Sequence, residues 1–128
     1  MIHVAVGVIT NDSAQVLLTR RPLHAHGGGL WEFPGGKSEP NESFLDALVR
    51  ELREEIGITV LQARSLIDTP YDYGHQKVML HVFHVTAFSG EPLLQENQLA
   101  MEWVNKDQLD HYEMPKGNDP IKVAVSKL

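Results

Sequence analysis

The sequence predicts an α/β fold, a mixed β-sheet with helices packed on it. Three observations point there. Stretches rich in β-branched and apolar residues recur at strand length, at 2–9, 15–21 and 76–88. One longer segment, 41–57, repeats its apolar residues at helical spacing. Strands and helices follow one another without a regular βαβ alternation, so the sheet is expected to be mixed. The 128 residues match one domain and can bury roughly two thirds of the surface that the unfolded chain exposes.

Taken in order, IHVAVGVI (2–9) reads as a strand, Asn11, Asp12 and Ser13 as a turn, and QVLLTRR (15–21) as a second strand, giving a hairpin with a short polar loop. PLHAHGGGL is a loop; its three glycines lack the Lys-Ser/Thr signature and the following helix of a phosphate loop. LWEFPGGK is a short strand broken by Pro34. The helix is expected from Asn41, a good cap, to Gly57, a good C′ residue. Residues 58–68 read as extended and QKVMLHVFHVTAF (76–88) as the strongest later strand. SGEPLLQENQ is loop, LAMEWVN strand, and KDQLDHY a short helical turn. A last helix is expected from Asn118 or Asp119, with Pro120 in its first turn.

Composition excludes several functions. Apolar residues make up 42% and charged residues 22%, as in ordinary globular proteins, and the formal charge is −6. That balance argues against gripping a nucleic-acid polymer, which needs a basic face, but not against a phosphorylated small molecule with a bridging metal. The absence of cysteine excludes disulfides, thiolate catalysis and zinc–sulfur sites. MIHVAVGVIT lacks the basic flank and cleavage signal of a secretory leader. No apolar run approaches the ~18 residues a membrane helix needs. A cytoplasmic protein, monomeric or a small homo-oligomer, is the expectation.

The helical segment is unusually acidic. At about 100° per residue, Leu45, Leu48, Val49, Leu52 and Ile56 fall in one sector, the width of a core-facing stripe. Glu51, Glu54 and Glu55 fall beside that stripe, while Asp46, Arg50 and Arg53 face water. Like charges at such spacing cost about 0.2–0.5 kcal/mol per pair, and more when partly buried. A bound cation would turn that repulsion into affinity, because Mg²⁺ and Mn²⁺ prefer carboxylate oxygens. The alternative is a charged helix whose acids pair with Arg50, Arg53 and lysines elsewhere. Position beside the core, after a glycine–proline turn, favours the cation.

The spacing Gly36, Glu42, Arg50-Glu51-Leu52, Glu54-Glu55, Gly57-Ile58 matches the Nudix box, G-x5-E-x7-R-E-U-x-E-E-x-G-U, at every fixed position. Resemblance to the MutT-like branch extends through VAVGVI, TRR at 19–21, LWEFPGGK, EW at 102–103 and NDPI near the end. It implies a single Nudix domain over 1–128 with an α/β/α sandwich and a mixed sheet. It also implies a Mg²⁺- or Mn²⁺-dependent hydrolase that converts a nucleoside triphosphate to the monophosphate and pyrophosphate. By the same resemblance Glu51, Glu54 and Glu55 are metal ligands, with the Gly35 carbonyl as a further one. Arg50 holds Glu51 by a charge-assisted hydrogen bond, and Glu42 braces the loop–helix junction. The general base is Glu51 or Glu102, the latter matching a glutamate of the branch with ligand or base duties; the sequence leaves both open.

Arg21, Phe33, Lys37 and Asn118 match substrate-binding positions of the branch. An asparagine can grip a purine edge with one donor and one acceptor, which implies 8-oxo-dGTP and a role in nucleotide-pool sanitation and DNA repair. Asn118 reads equally as a cap of the last helix. Where the branch carries an Asp-Arg pair before the strand at 78–85, this chain has His75-Gln76. The box and its flanks also resemble hydrolases of CTP and modified pyrimidine triphosphates, in which an aspartate tends to replace Asn118. A non-catalytic nucleotide-sensing module would have lost box carboxylates, and none is lost. His24, His26, His81 and His84 are expected in surface or loop packing, and Trp31, Trp103 and Tyr71 in the core or a pocket wall.

Overall fold

The computed structural model describes residues 1–128. Its elements are β1 (Ile2–Ile9), β2 (Gln15–Arg20), β3 (Trp31–Glu32), β4 (Gly35–Lys37), α1 (Phe44–Ile56), β5 (Thr59–Asp72), β6 (Lys77–Ser89), β7 (Ala100–Asn105) and α2 (Asp119–Ser126). Short 3₁₀ turns at Lys106–His111 and Lys116–Asn118 lead into α2. One sheet has the order β4-β1-β6-β5 and is mixed: β1 runs parallel to β6, from Ile2 opposite Val78 to Ile9 opposite Val85, while the β1–β4 and β5–β6 pairs are antiparallel. A second, antiparallel sheet has the order β3-β2-β7. No helix is long and apolar enough to cross a membrane.

Alternation along the strands builds two cores, one on each side of the β layer. On one side Ala5, Ile9 and Leu17 pack with Leu48, Leu52 and Ile56 of α1. On the other, Val6, Val8, Val16 and Leu18 pack with Ile121 and Val125 of α2. The result is the expected α/β/α sandwich. Because β1 is apolar on both faces, it is a central strand and takes non-local partners. The expected β1–β2 hairpin is therefore absent as a ladder. The polar turn forms, with Asn11 Oδ1 accepting from the Ser13 and Gln15 amides. Yet only an isolated bridge, Thr10 to Val16, joins the two strands, because β4 occupies the β1 edge over Val4–Val6. LWEFPGGK likewise splits, β3 joining one sheet and β4 the other.

The helix begins later than expected. Asn41 sits at φ 67°, outside helical space, and Ser43 is the cap, its hydroxyl accepting from the Asp46 amide at 3.0 Å. Gly57 ends α1 in the left-handed conformation, as expected. The buried stripe is Ala47, Leu48, Leu52, Glu55 and Ile56, whereas Leu45 is 42% exposed. The stripe is thus turned by about 60°, at ~100° per residue, from Leu45 toward Glu55. That rotation carries one carboxylate into the core. β5 also outruns its expected end, reaching Asp72 as the antiparallel partner of β6.

Leu52→Ala is expected to lower unfolding free energy by about 2–5 kcal/mol, and Leu45→Ala by no more than ~0.5 kcal/mol, measured by urea denaturation. Equal losses would contradict the rotated stripe.

Candidate active site

Arg50 is the hub of the acidic helix. Its Nε and Nη2 donate to the two oxygens of Glu42 at 2.8 and 3.0 Å, and Nη1 donates to Glu51 Oε1 at 2.8 Å and Glu54 Oε2 at 3.3 Å. Nη2 also reaches the Lys37 carbonyl at 3.0 Å, tying the helix to β4. The paired Arg50 guanidinium, with the Glu39 amide after it, holds the Glu42 carboxyl down at about 2. Glu42 therefore lies at the loop–helix junction and Arg50 grips Glu51, as the sequence led us to expect.

Glu51 lies against the glycine turn: a side chain on Gly36 would fall on its carboxylate. Burial raises its pKa, against the pull of Arg50, and Glu54 and Glu96 raise it further. Glu55 is only 5% exposed. Its Oε2 accepts from the Gly35 amide at 3.2 Å and its Oε1 from the Thr19 hydroxyl at 3.5 Å. Burial pushes its pKa up to about 8, with Glu32 as the next cause, then Glu96 and Glu51 against the Gly35 amide. Glu54 sits apart, its side chain 54% exposed.

Glu96 was not foreseen. The loop after β6 is laced over the end of α1 by amide bonds from Leu93 to the Ile56 carbonyl and from Gln95 to the Glu55 carbonyl, at 3.0 and 2.9 Å. This brings the Glu96 charge to bear on both Glu51 and Glu55. Nothing periodic marks that loop; the only sequence signal is an acid in a segment following the box. Glu102, by contrast, does not join the cluster. It pairs with Leu18, so its side chain lies on the opposite face of the sheet from Thr19 and Glu55, where it accepts the Tyr112 hydroxyl. Strand alternation thus places it apart from Glu51 and Glu55.

No three acidic or histidine side chains converge closely enough to hold an ion by themselves. Mg²⁺ needs no such cage, since it keeps waters and shares substrate phosphate oxygens. The donor set fits it: hard carboxylate oxygens beside one another, with the Glu55 carboxyl raised in pKa first by burial and then by its acidic neighbours.

On the far side of the glycine turn lies a cavity of about 610 Å³. Arg21, Phe33, Lys37 and Asn118, expected to bind substrate, all line it, together with Gly35 and Gly36. Arg21 is itself engaged, Nη1 pairing with Glu32 at 2.9 Å and Nε donating to the His26 carbonyl at 2.8 Å. Asn118 stands at the cap position of α2, makes no capping bond with its side chain, and lines the cavity. Tyr71, Tyr73, His26, His75, Gln76 and Lys116 complete the wall. Tyr71 is thus a pocket wall, Trp31 stacks edge-on to Tyr112 at 5.1 Å, and Trp103 lies on Phe88 at 6.2 Å. His81 and His84 are not at the surface. Both are buried on β6; His81 stacks on Phe44 at 3.6 Å and bonds His3 and Asp68, and His84 bonds Thr10.

Comparison with known proteins adds to this geometry. A family model described as the NUDIX domain matches residues 5–123. The chain is 46% identical over 90 residues to an 8-oxo-dGTP diphosphatase of Proteus vulgaris, covering 70% of this chain and 80% of that protein. It is 36% identical over 128 residues to a CTP pyrophosphohydrolase of Escherichia coli (strain K12), covering 100% of this chain and 93% of that protein. A solved MutT structure, from work on the Aliivibrio salmonicida and Vibrio cholerae proteins, superposes with a TM-score of 0.87 at 40% identity, covering 99% of this chain and 98% of that one.

A carboxyl raised from 4.5 to about 8 holds a proton in the folded state that the unfolded chain has lost. Its stabilising contribution is complete below the lower value and is lost as pH rises through the upper one. In EDTA, Glu55→Gln is expected to gain Tm over the wild type progressively from about pH 5 to about pH 8. Thermal scans showing a difference that does not change with pH would contradict the assignment.

Proposed function

The chain belongs to the Nudix hydrolase family, and from that premise we propose that it hydrolyses a nucleoside triphosphate to the monophosphate and pyrophosphate, with 8-oxo-dGTP as its preferred substrate. One observation carries the proposal. The Gly35-Gly36 turn walls the cavity on one side and the Glu51 and Glu55 carboxylates on the other. A nucleoside seated among Phe33, Tyr71 and Asn118 would therefore lay its phosphates across the turn, toward the acidic helix. Residues 1–128 are read as a single domain of this kind.

A bound Mg²⁺ or Mn²⁺ would neutralise the phosphates and acidify an attacking water. Glu51 and Glu55 would hold it, with the Gly35 carbonyl and the more exposed Glu54 completing the set; Glu96 takes the place first given to Glu102. Glu51 accepts the water's proton as the water oxygen bonds to the β-phosphorus. The bond from that phosphorus to the oxygen bridging toward the α-phosphate breaks, and the monophosphate leaves with that oxygen. Arg50 keeps Glu51 in place throughout, because its other bonds to Glu42 and the Lys37 carbonyl fix the guanidinium. Lys37 lines the cavity beside the turn, where it would meet phosphate.

The purine reading rests on Asn118, whose side chain is free of the helix cap and lines the cavity, and on the diphosphatase likeness. A second reading, hydrolysis of CTP or a modified pyrimidine triphosphate, is supported by the full-length likeness to the CTP pyrophosphohydrolase; His75 and Gln76 stand in the wall where the MutT-like branch carries an Asp-Arg pair.

Pyrophosphate release measured across a panel of nucleoside triphosphates with Mg²⁺ is expected to give the highest kcat/KM for 8-oxo-dGTP. An advantage of about tenfold, or 1.4 kcal/mol, for CTP or 5-methyl-dCTP would transfer the assignment to pyrimidines. Glu51→Gln is expected to lower kcat by about 10²–10⁴-fold with the fold intact by circular dichroism. Glu96→Gln should cost at least about tenfold and Glu102→Gln less than about twofold; the reverse order would restore Glu102.

A further inference from the structure

The glycine-rich loop between β2 and β3 is held at its base and its tip by different means. At the base, Arg21 donates to the His26 carbonyl while pairing with Glu32, and Arg20 Nε donates to the Gly29 carbonyl at 2.8 Å. The loop doubles back so tightly that a side chain on Gly28 would fall on the Leu23 carbonyl. At the tip, the His26 ring stands edge-on to Tyr73, with centroids 6.1 Å apart at 80°, and edge-on to His75, 5.8 Å apart at 79°. Tyr73 meets Tyr71 in the same manner at 4.5 Å. Tyr73 and His75 belong to the turn between β5 and β6, and all four rings line the cavity that also holds Asn118.

Two segments far apart in sequence are thus joined at the cavity wall by one imidazole. We propose that His26 is a positioning residue for nucleobase binding: docked on Tyr73 and His75, it holds the glycine-rich loop as the outer wall of the nucleobase end of the cavity. The inference rests on the nucleotide reading above but not on which base is preferred. The phosphate end, at Gly35, Gly36 and Lys37, is built by β4 and α1 and does not need the loop. When the dock is lost, the fraction of molecules with the wall in place falls, and apparent affinity for the base falls by that fraction. Two edge-on aromatic contacts correspond to roughly a tenfold effect.

The test compares His26→Ala and His26→Phe with the wild type. The readouts are kcat and KM for the triphosphate the wild type prefers, and the inhibition constant of ribose 5-triphosphate, a base-free competitor. His26→Ala is expected to raise KM about tenfold, with kcat and the base-free inhibition constant within about twofold, and His26→Phe to recover most of the loss. An unchanged KM, an equal weakening of the base-free competitor, or a phenylalanine variant as impaired as the alanine one overturns the proposal. Wild-type turnover in the same assay reports on the nucleotide reading separately. Without turnover, calorimetric binding of the nucleoside monophosphate against pyrophosphate reads the dock, and equal affinities in wild type and His26→Ala overturn it.

Discussion

The guanidinium of Arg50 meets Glu42, Glu51, Glu54 and the Lys37 carbonyl at once, and the rest of the site depends on that fan of bonds. Carboxylates on neighbouring helical turns repel, and burial sharpens the repulsion because charge is poorly solvated there. Arg50 absorbs part of it from the solvent side. From the core side, the Gly35 amide and the Thr19 hydroxyl meet Glu55. What remains is the burial of Glu55, which does most to raise its pKa, and the field of Glu32, Glu96 and Glu51 added to it. Such a residue of like charge is what a divalent ion and a polyphosphate together would neutralise.

The two-sided β layer converts this helix into one half of a larger device. Gly35 and Gly36 belong to a three-residue strand on the edge of β1, thin enough that its two sides serve different chemistry. Carboxylates press on one side and the cavity opens on the other. A larger residue at Gly36 would collide with Glu51, so the close approach of helix and turn requires glycine. The cavity is finished by segments distant in sequence: the loop after β2, the turn between β5 and β6, and the approach to α2.

The elements that local chemistry dictates were legible in the sequence: β1, β2, β6 and β7, the body and end of α1, the start of α2, and the Nudix spacing of Gly36 through Ile58; of the three box glutamates expected together, Glu54 stands apart and exposed. Arg50's grip on Glu51 was found by resemblance, since adjacent residues do not share a helix face, and its grip on Glu42, which lies before the helix, came only with the fold. Arg21, Phe33, Lys37 and Asn118 were found by resemblance, and the fold gathers them in one cavity. The hairpin, the burial of Leu45, and the surface placement of His81 and His84 were misread, and Glu102 lies on the other face of its sheet from Glu55. Each of those depends on which non-local strand or helix covers a face, and a one-dimensional pattern does not carry that.

By itself, then, the sequence determined the periodic stripes, the caps and glycines that end them, and the acidic motif with its spacing, because these arise from interactions within a few residues. Tertiary packing alone makes Glu55 the buried carboxylate, lets Glu96 rather than Glu102 bear on it, and sets His26 against Tyr73 and His75. Those outcomes follow from how strands are partnered and how a loop is tied to the end of α1. Both are settled by the joint packing of segments far apart along the chain.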